Sequence, residues 1–133
     1  MAWLFIDTHT RGEFRVGWLF AKRAPQVKTY QGQTQRLLSH VMNCLTRVSK
    51  RAWVGVCVVA GPGSFSAVRL GVLDANLLAR VCQKPLVGVS VDQAQDLTQL
   101  TTLLTEGAMA TSTYVSPEYD AEPNITVPRI ALA

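Results

Sequence analysis

The sequence predicts an α/β domain: a mixed five-stranded sheet covered by helices, followed by an extended C-terminal arm. Three observations carry this. Apolar residues alternate at period two near the N-terminus. Two continuous apolar runs, 53–60 and 86–89, are interleaved with segments of helical spacing. Three of the six prolines, Pro117, Pro123 and Pro128, fall in the last stretch of the chain. With 133 residues, 48% hydrophobic and 17% charged, the chain fits one globular domain rather than a disordered or two-lobed protein.

Each element follows from its residues. Ala2 to Ile6 is a short apolar run suited to a buried strand. Thr8-His9-Thr10-Arg11-Gly12 is turn chemistry. Phe14, Val16, Trp18 and Phe20 alternate along a half-buried second strand, and Ala24-Pro25 breaks it. Val27 to Tyr30 makes a third strand at an edge. Thr34 is placed to cap a helix running to about Lys50, with Leu37, Leu38, Val41, Leu45 and Val48 as one apolar stripe. Trp53 to Ala60 is a central strand. A glycine-rich turn leads into a second helix, about 66–82, which Lys84-Pro85 stops. Leu86 to Val89 is a further buried strand. Asp92 opens a third helix reaching about residue 106, with Leu97, Leu100, Leu103 and Leu104 inward and Gly107 ending it. Residues 1–107 thus form the lobe and 108–133 the arm, which orders by docking on something. Three antiparallel strands feeding a parallel pair through right-handed crossovers is the layout of a single ribonuclease-H-like lobe of the actin-like ATPase superfamily.

Charge is uneven. Residues 1–60 hold nine Lys/Arg against Asp7 and Glu13, whereas residues 61–133 hold four against seven Asp/Glu. The basic residues are spread over several elements, which favours an ordinary solvated face over a nucleic-acid footprint. Cys44, Cys57 and Cys82 have apolar neighbours and no metal-ligand spacing, so they read as reduced structural thiols. No run approaches the roughly 20 apolar residues of a membrane helix, and the first residues carry no signal-peptide pattern. These features predict a cytoplasmic protein without metal or cofactor.

The most informative stretch is Gly61-Pro62-Gly63-Ser64-Phe65-Ser66-Ala67-Val68-Arg69-Leu70-Gly71. It reads as strand, tight turn, helix start. Ser64 or Ser66 is suited to cap the helix, and the amides there are suited to hold an anion. Walker-loop spacing and lysine are absent, as is the hydrolase GxSxG elbow. A nucleophilic Ser64 needs a histidine with an acidic partner, and neither His9 nor His40 has a marked one in sequence. Ser64 is therefore read as shaping the loop. At the first strand's end, Asp7 is read as a turn residue, since short aspartates bond their own backbone there.

The motif resembles the glycine signature of the bacterial TsaB (YeaZ) family, a subunit of the machinery that makes threonylcarbamoyladenosine in tRNA. Ile6-Asp7-Thr8-His9-Thr10, Gln33-Thr34-Gln35-Arg36-Leu37-Leu38, Pro85-Leu86-Val87-Gly88-Val89-Ser90, and the tail segments Pro117-Glu118-Tyr119 and Glu122-Pro123-Asn124-Ile125-Thr126-Val127-Pro128 resemble family segments in the same order. Ala67 stands where the family has glycine. Leu73, Leu77 and Val81 stand where many members have small residues. Family members usually have two lobes; here Ser90 leads almost directly into the last helix, so the second lobe is expected to be missing.

The resemblance implies a non-catalytic scaffold that docks on a TsaD-type catalytic subunit through helices 34–50 and 66–82, with no catalytic residue of its own. A TsaE-type ATPase is implied as a further partner, a homodimer through the same helices as another state, and tRNA contact as indirect only. The expected interface positions are Leu37, Val41, Leu45, Val68, Gly71, Val72 and Ala75. Gly61, Pro62, Gly63, Ser64, Phe65 and Arg69 are expected to be structural. The alternative is a small phosphate- or nucleotide-binding enzyme using the Gly61–Ser66 loop.

Overall fold

The computed structural model describes residues 2–32, 36–46 and 52–118. The expected cap at Thr34, the end of the first helix at 47–50 and the tail from Tyr119 onward lie outside the described residues.

The chain runs β1 (Ala2–Asp7), β2 (Glu13–Phe20), β3 (Gln26–Gln31), α1 (Leu37–Thr46), β4 (Trp53–Gly61), α2 (Phe65–Cys82), β5 (Leu86–Ser90), a 3₁₀ turn (Gln93–Gln95) and α3 (Leu97–Thr105). One five-stranded sheet has the order β3-β2-β1-β4-β5. β1 pairs antiparallel with β2, and β2 with β3. β1 pairs parallel with β4, and β4 with β5, so the crossovers run through α1 and α2. This is the mixed sheet that the sequence predicts.

Strand alternation sorts the apolar residues into two layers. Ala2, Leu4 and Ile6 of β1 join Val56 and Val58 of β4 beneath α1 and α2. Trp3 and Phe5 join Leu19, Cys57, Val59, Val87 and Val89 on the opposite face, where Leu100 and Leu104 of α3 cover them. Leu4, Phe5, Ile6, Val56, Val58 and Val59 are fully buried, because both sheet faces of the central pair are covered. Burial pushes the Cys57 thiol well above its ordinary range. Cys44 and Cys82 are half-buried, and no disulfide joins the three.

Two helix boundaries differ from expectation. The third helix does not run unbroken from Asp92. Asp96 breaks it and caps α3, its Oδ1 accepting the Gln99 N–H at 3.1 Å. At the other helix, Ser64 occupies the N-cap position of α2, but its side chain makes no cap bond. α2 ends in a left-handed Gln83 (φ 55°) whose N–H reaches the carbonyls of Ala79 and Arg80, one residue before Lys84-Pro85.

Residues 108–118 lie along β5 rather than away from it. Ser112 bridges Leu86, its N–H donating to the Leu86 carbonyl at 2.8 Å. The Glu118 N–H donates to the Ala60 carbonyl at 2.6 Å, and Val115 is buried against the sheet. That strip covers the outer edge of the parallel half. Among the described residues no helix is long and apolar enough to cross a membrane.

Candidate functional site

The glycine motif sits where β4 passes into α2. Gly61 has φ +117°, a backbone angle that disfavours any side chain, and a Cβ there would strike the Glu118 carbonyl. At Gly63 a Cβ would meet the His9 carbonyl at 2.6 Å. Both glycines are thus required by close packing of the chain on itself. Pro62 is exposed, Ser64 half-buried, and Arg69 exposed on α2. Phe65 opens α2, and its side chain lies outside the described residues.

The turn after β1 is clamped to this loop. The Ser64 N–H donates to the His9 carbonyl at 3.1 Å, and the buried Thr8 hydroxyl donates to the Ala67 carbonyl at 2.6 Å. Asp7 is buried, and its carboxylate is fully engaged. Arg15 binds Oδ2 in bidentate fashion, from Nε at 2.9 Å and Nη2 at 2.7 Å. The His9 N–H donates to Oδ1 at 3.0 Å, the local backbone bond expected of a turn aspartate.

The same Oδ1 lies 2.6 Å from His9 Nδ1, and His9 Nε2 lies 3.1 Å from the Thr10 hydroxyl. Sequence reading denied His9 an acidic partner; the structure supplies Asp7, two residues away. The signal was the Asp-x-His spacing across a turn, which folds carboxylate and imidazole onto each other. His9, Thr10 and Arg11 share an open cavity of about 530 Å³ with Pro62, Gly63, Ser64, Val91 and Asp92. Among the described residues no group of three His, Cys, Asp or Glu is placed to hold a metal.

On the helices, the expected interface positions turn inward. Leu37, Val41, Val68, Val72 and Ala75 are buried in the lobe's own core, and Leu45 packs partly against it. Gly71 is buried too, with Thr8 directly over its Cα. The physical reason is ordinary: the stripe of greatest apolar content faces the sheet. The exposed apolar residues are others. On α2 they are Leu73, Leu77 and Val81, 56–72% accessible and spaced one turn apart. On α1 they are Leu38 and Met42. The sequence marked Leu73, Leu77 and Val81 as bulky residues that bear on how closely a partner helix approaches, and the structure places them on the outer face.

The model of the family described as TsaD, tRNA N6-adenosine threonylcarbamoyltransferase, matches residues 28–115, about two thirds of the chain. The chain belongs to this family. Within the TsaD family it is YeaZ-like. YeaZ from Pseudomonas aeruginosa superposes with a TM-score of 0.58 at 28% identity, covering 68% of this chain and 45% of that one. A second P. aeruginosa structure, described as an uncharacterized protein with similarity to peptidase YeaZ, gives 0.58 and 28% over 67% and 43%. RuvC of Thermus thermophilus overlaps 95% of this chain and 85% of its own at 14% identity and a TM-score of 0.46. No curated protein sequence matches. The match spans under half the length of the YeaZ chains.

The lobe is therefore of the ribonuclease-H-like, actin-like ATPase type, as the strand order predicts. The family match includes the glycine loop, α1 and α2. Asp7, His9, Thr10 and Arg15 precede the matched residues.

Proposed function

We propose that the chain is a non-catalytic scaffold subunit of TsaB type in the complex that makes N6-threonylcarbamoyladenosine in tRNA. It docks on a TsaD-type catalytic subunit through the outer faces of α1 and α2. Membership of the TsaD family and the likeness to YeaZ support the tRNA-modification role. The observation that carries the docking surface is the row of Leu73, Leu77 and Val81 on α2, with Leu38 and Met42 on the neighbouring helix of the same sheet face. Side chains of this size exposed at one-turn spacing form an apolar ridge that a partner helix would cover. Leu37, Val41, Val68, Val72 and Ala75, beneath this ridge, hold the lobe together and so shape the surface.

A TsaE-type ATPase is a further partner in this reading, and tRNA is contacted only indirectly. A homodimer through the same ridge is a resting state that competes with the catalytic subunit. The glycine loop favours this over a phosphate-binding enzyme, because the space beside Gly61 and Gly63 is taken up by Glu118 and His9.

The test is size-exclusion chromatography of the full chain with the TsaD-type protein of its own organism, alongside complementation of a strain lacking its TsaB. Co-elution and restored modification support the reading. Separate elution at micromolar concentration, with no restoration, overturns it.

A further inference from the structure

We propose that Thr10 is an acyl acceptor: its hydroxyl, activated by His9 with Asp7 behind it, takes the acyl group of a small activated carboxylic ester and passes it to water. This activity takes no part in the tRNA modification, for which the chain remains a non-catalytic scaffold, and it uses none of the exposed ridge on α1 and α2.

Three observations converge at the cavity between the β1–β2 turn and the start of α2. The first is the relay itself. Asp7 Oδ1 sits 2.6 Å from His9 Nδ1, and Nε2 sits 3.1 Å from Thr10 Oγ1. A carboxylate on Nδ1 holds the ring proton there and leaves the Nε2 lone pair facing the hydroxyl, the arrangement a general base requires. The second is rigidity. Asp7 is buried, fixed by two bonds from Arg15, and also accepts the His9 N–H, so carboxylate and imidazole are held in register. Nothing in the scaffold role needs a histidine oriented in this way. The third is the setting. Thr10 is exposed and lines a cavity of about 530 Å³ together with Gly63 and Ser64, where α2 begins. The first amides of a helix lack intrahelical acceptors, and the Ser64 hydroxyl makes no cap bond there. The positive end of this 18-residue helix borders the cavity at Ser64, a setting that favours negative charge.

The step balances. As Thr10 Oγ1 bonds to the acyl carbon, its proton moves to His9 Nε2. The tetrahedral intermediate collapses, the C–O bond to the alcohol breaks, and the alcohol leaves with the proton from Nε2. Acyl-Thr10 remains. Water then adds to the same carbon, giving its proton to Nε2, and the Thr10 oxygen leaves as a hydroxyl, reprotonated from Nε2. The net change is one ester and one water to one alcohol and one carboxylic acid, with no oxidant or reductant.

The experiment uses the full chain and p-nitrophenyl acetate. A rapid release of about one p-nitrophenolate per chain is expected, followed by slower turnover, as acyl-enzyme chemistry gives. Mass spectrometry should find a single acetyl group, placed on Thr10 by fragmentation. Thr10→Val should abolish the rapid phase and Thr10→Ser should retain it. His9→Asn should slow it by about 100-fold, the scale of a lost general base. Melting temperatures of all three variants serve as the folding control, and Thr10→Ser keeps a hydroxyl at an exposed turn position. Acetyl groups found only on lysines or the N-terminus overturn the proposal. So does a rapid phase that survives Thr10→Val, or one that His9→Asn leaves at its original rate. Failure here leaves the docking reading intact, since chromatography with the TsaD-type partner reports on a different surface.

Discussion

Asn76 grips the main chain of Val115 from both sides. Its Nδ2 donates to the Val115 carbonyl at 2.9 Å, and its Oδ1 accepts the Val115 N–H at 2.9 Å. One amide in the middle of α2 thereby stands in for the neighbouring strand that this stretch of chain lacks. The Val115 side chain completes the contact by filling the space over Gly88, where a Cβ would come within 2.8 Å of it. Asn76→Ala removes both bonds and leaves a partly buried amide and carbonyl unmatched, at a cost of about 2 kcal/mol. The expected outcome is a lower denaturant midpoint and faster proteolysis within 108–118, with α2 itself intact by circular dichroism.

Gly71 and Thr8 set the distance between α2 and β1. Alanine is the better helix former by about 1 kcal/mol, so Gly71→Ala in an open helix would stabilise. Here the added Cβ strikes the Thr8 side chain, whose hydroxyl is committed to the Ala67 carbonyl. Overpacking of this kind costs about 1–3 kcal/mol, and the net effect is destabilising. Thr8→Ala combined with Gly71→Ala should recover part of the loss. A double-mutant cycle in urea measures that coupling, and additive effects would show that the two residues do not oppose each other.

Asp74 lies half-buried on α2, and desolvation raises its carboxyl above the ordinary value of 3.8. The folded state then holds this proton more tightly than the unfolded chain does. At neutral pH the ionised form opposes folding, and that penalty fades as pH falls through the raised folded value, vanishing below the unfolded one. Asp74→Asn should therefore melt higher than the parent at pH 7. The gap should close on acidification below about pH 4, the ordinary carboxylate range. A gap that stays constant with pH would assign the effect to packing instead.

Much of the fold was legible because its signals are local. Period-two alternation in Phe14, Val16 and Trp18 and the apolar run at 53–60 specify strands wherever they lie. The glycine loop was legible as a turn for the same reason. Its purpose was not, since Glu118 and His9 press on it from 57 and 54 positions away respectively. The third helix was misread at its start because Asp92 and Asp96 both suit a cap. Asp92-x-x-Gln95 and Asp96-x-x-Gln99 carry the same capping spacing, so only the folded chain, where Asp96 Oδ1 accepts the Gln99 N–H, separates them. The inner and outer faces of α2 could not be told apart for a deeper reason. This helix is apolar on two sides, with Val68, Val72 and Ala75 inward and Leu73, Leu77 and Val81 outward. Periodicity reveals one stripe readily, but with two stripes only the position of the sheet says which is core.

That ambiguity gives the docking surface its sharpest test. Leu77 is 56% accessible, so Leu77→Glu should change the stability of the isolated chain by no more than about 0.5 kcal/mol. In the complex a carboxylate at the centre of the ridge would have to be desolvated against apolar partner atoms. A loss of about 2 kcal/mol, or roughly thirtyfold in affinity, is then expected. Gln99→Glu, on an exposed position of α3 across the sheet, adds the same charge away from the ridge and should leave affinity unchanged. Leu38→Glu probes whether α1 belongs to the same contact. Isothermal titration of the TsaD-type subunit into each variant separates the outcomes: affinity lost in Leu77→Glu but kept in Gln99→Glu supports the ridge. Equal affinity in both places the partner elsewhere on the lobe.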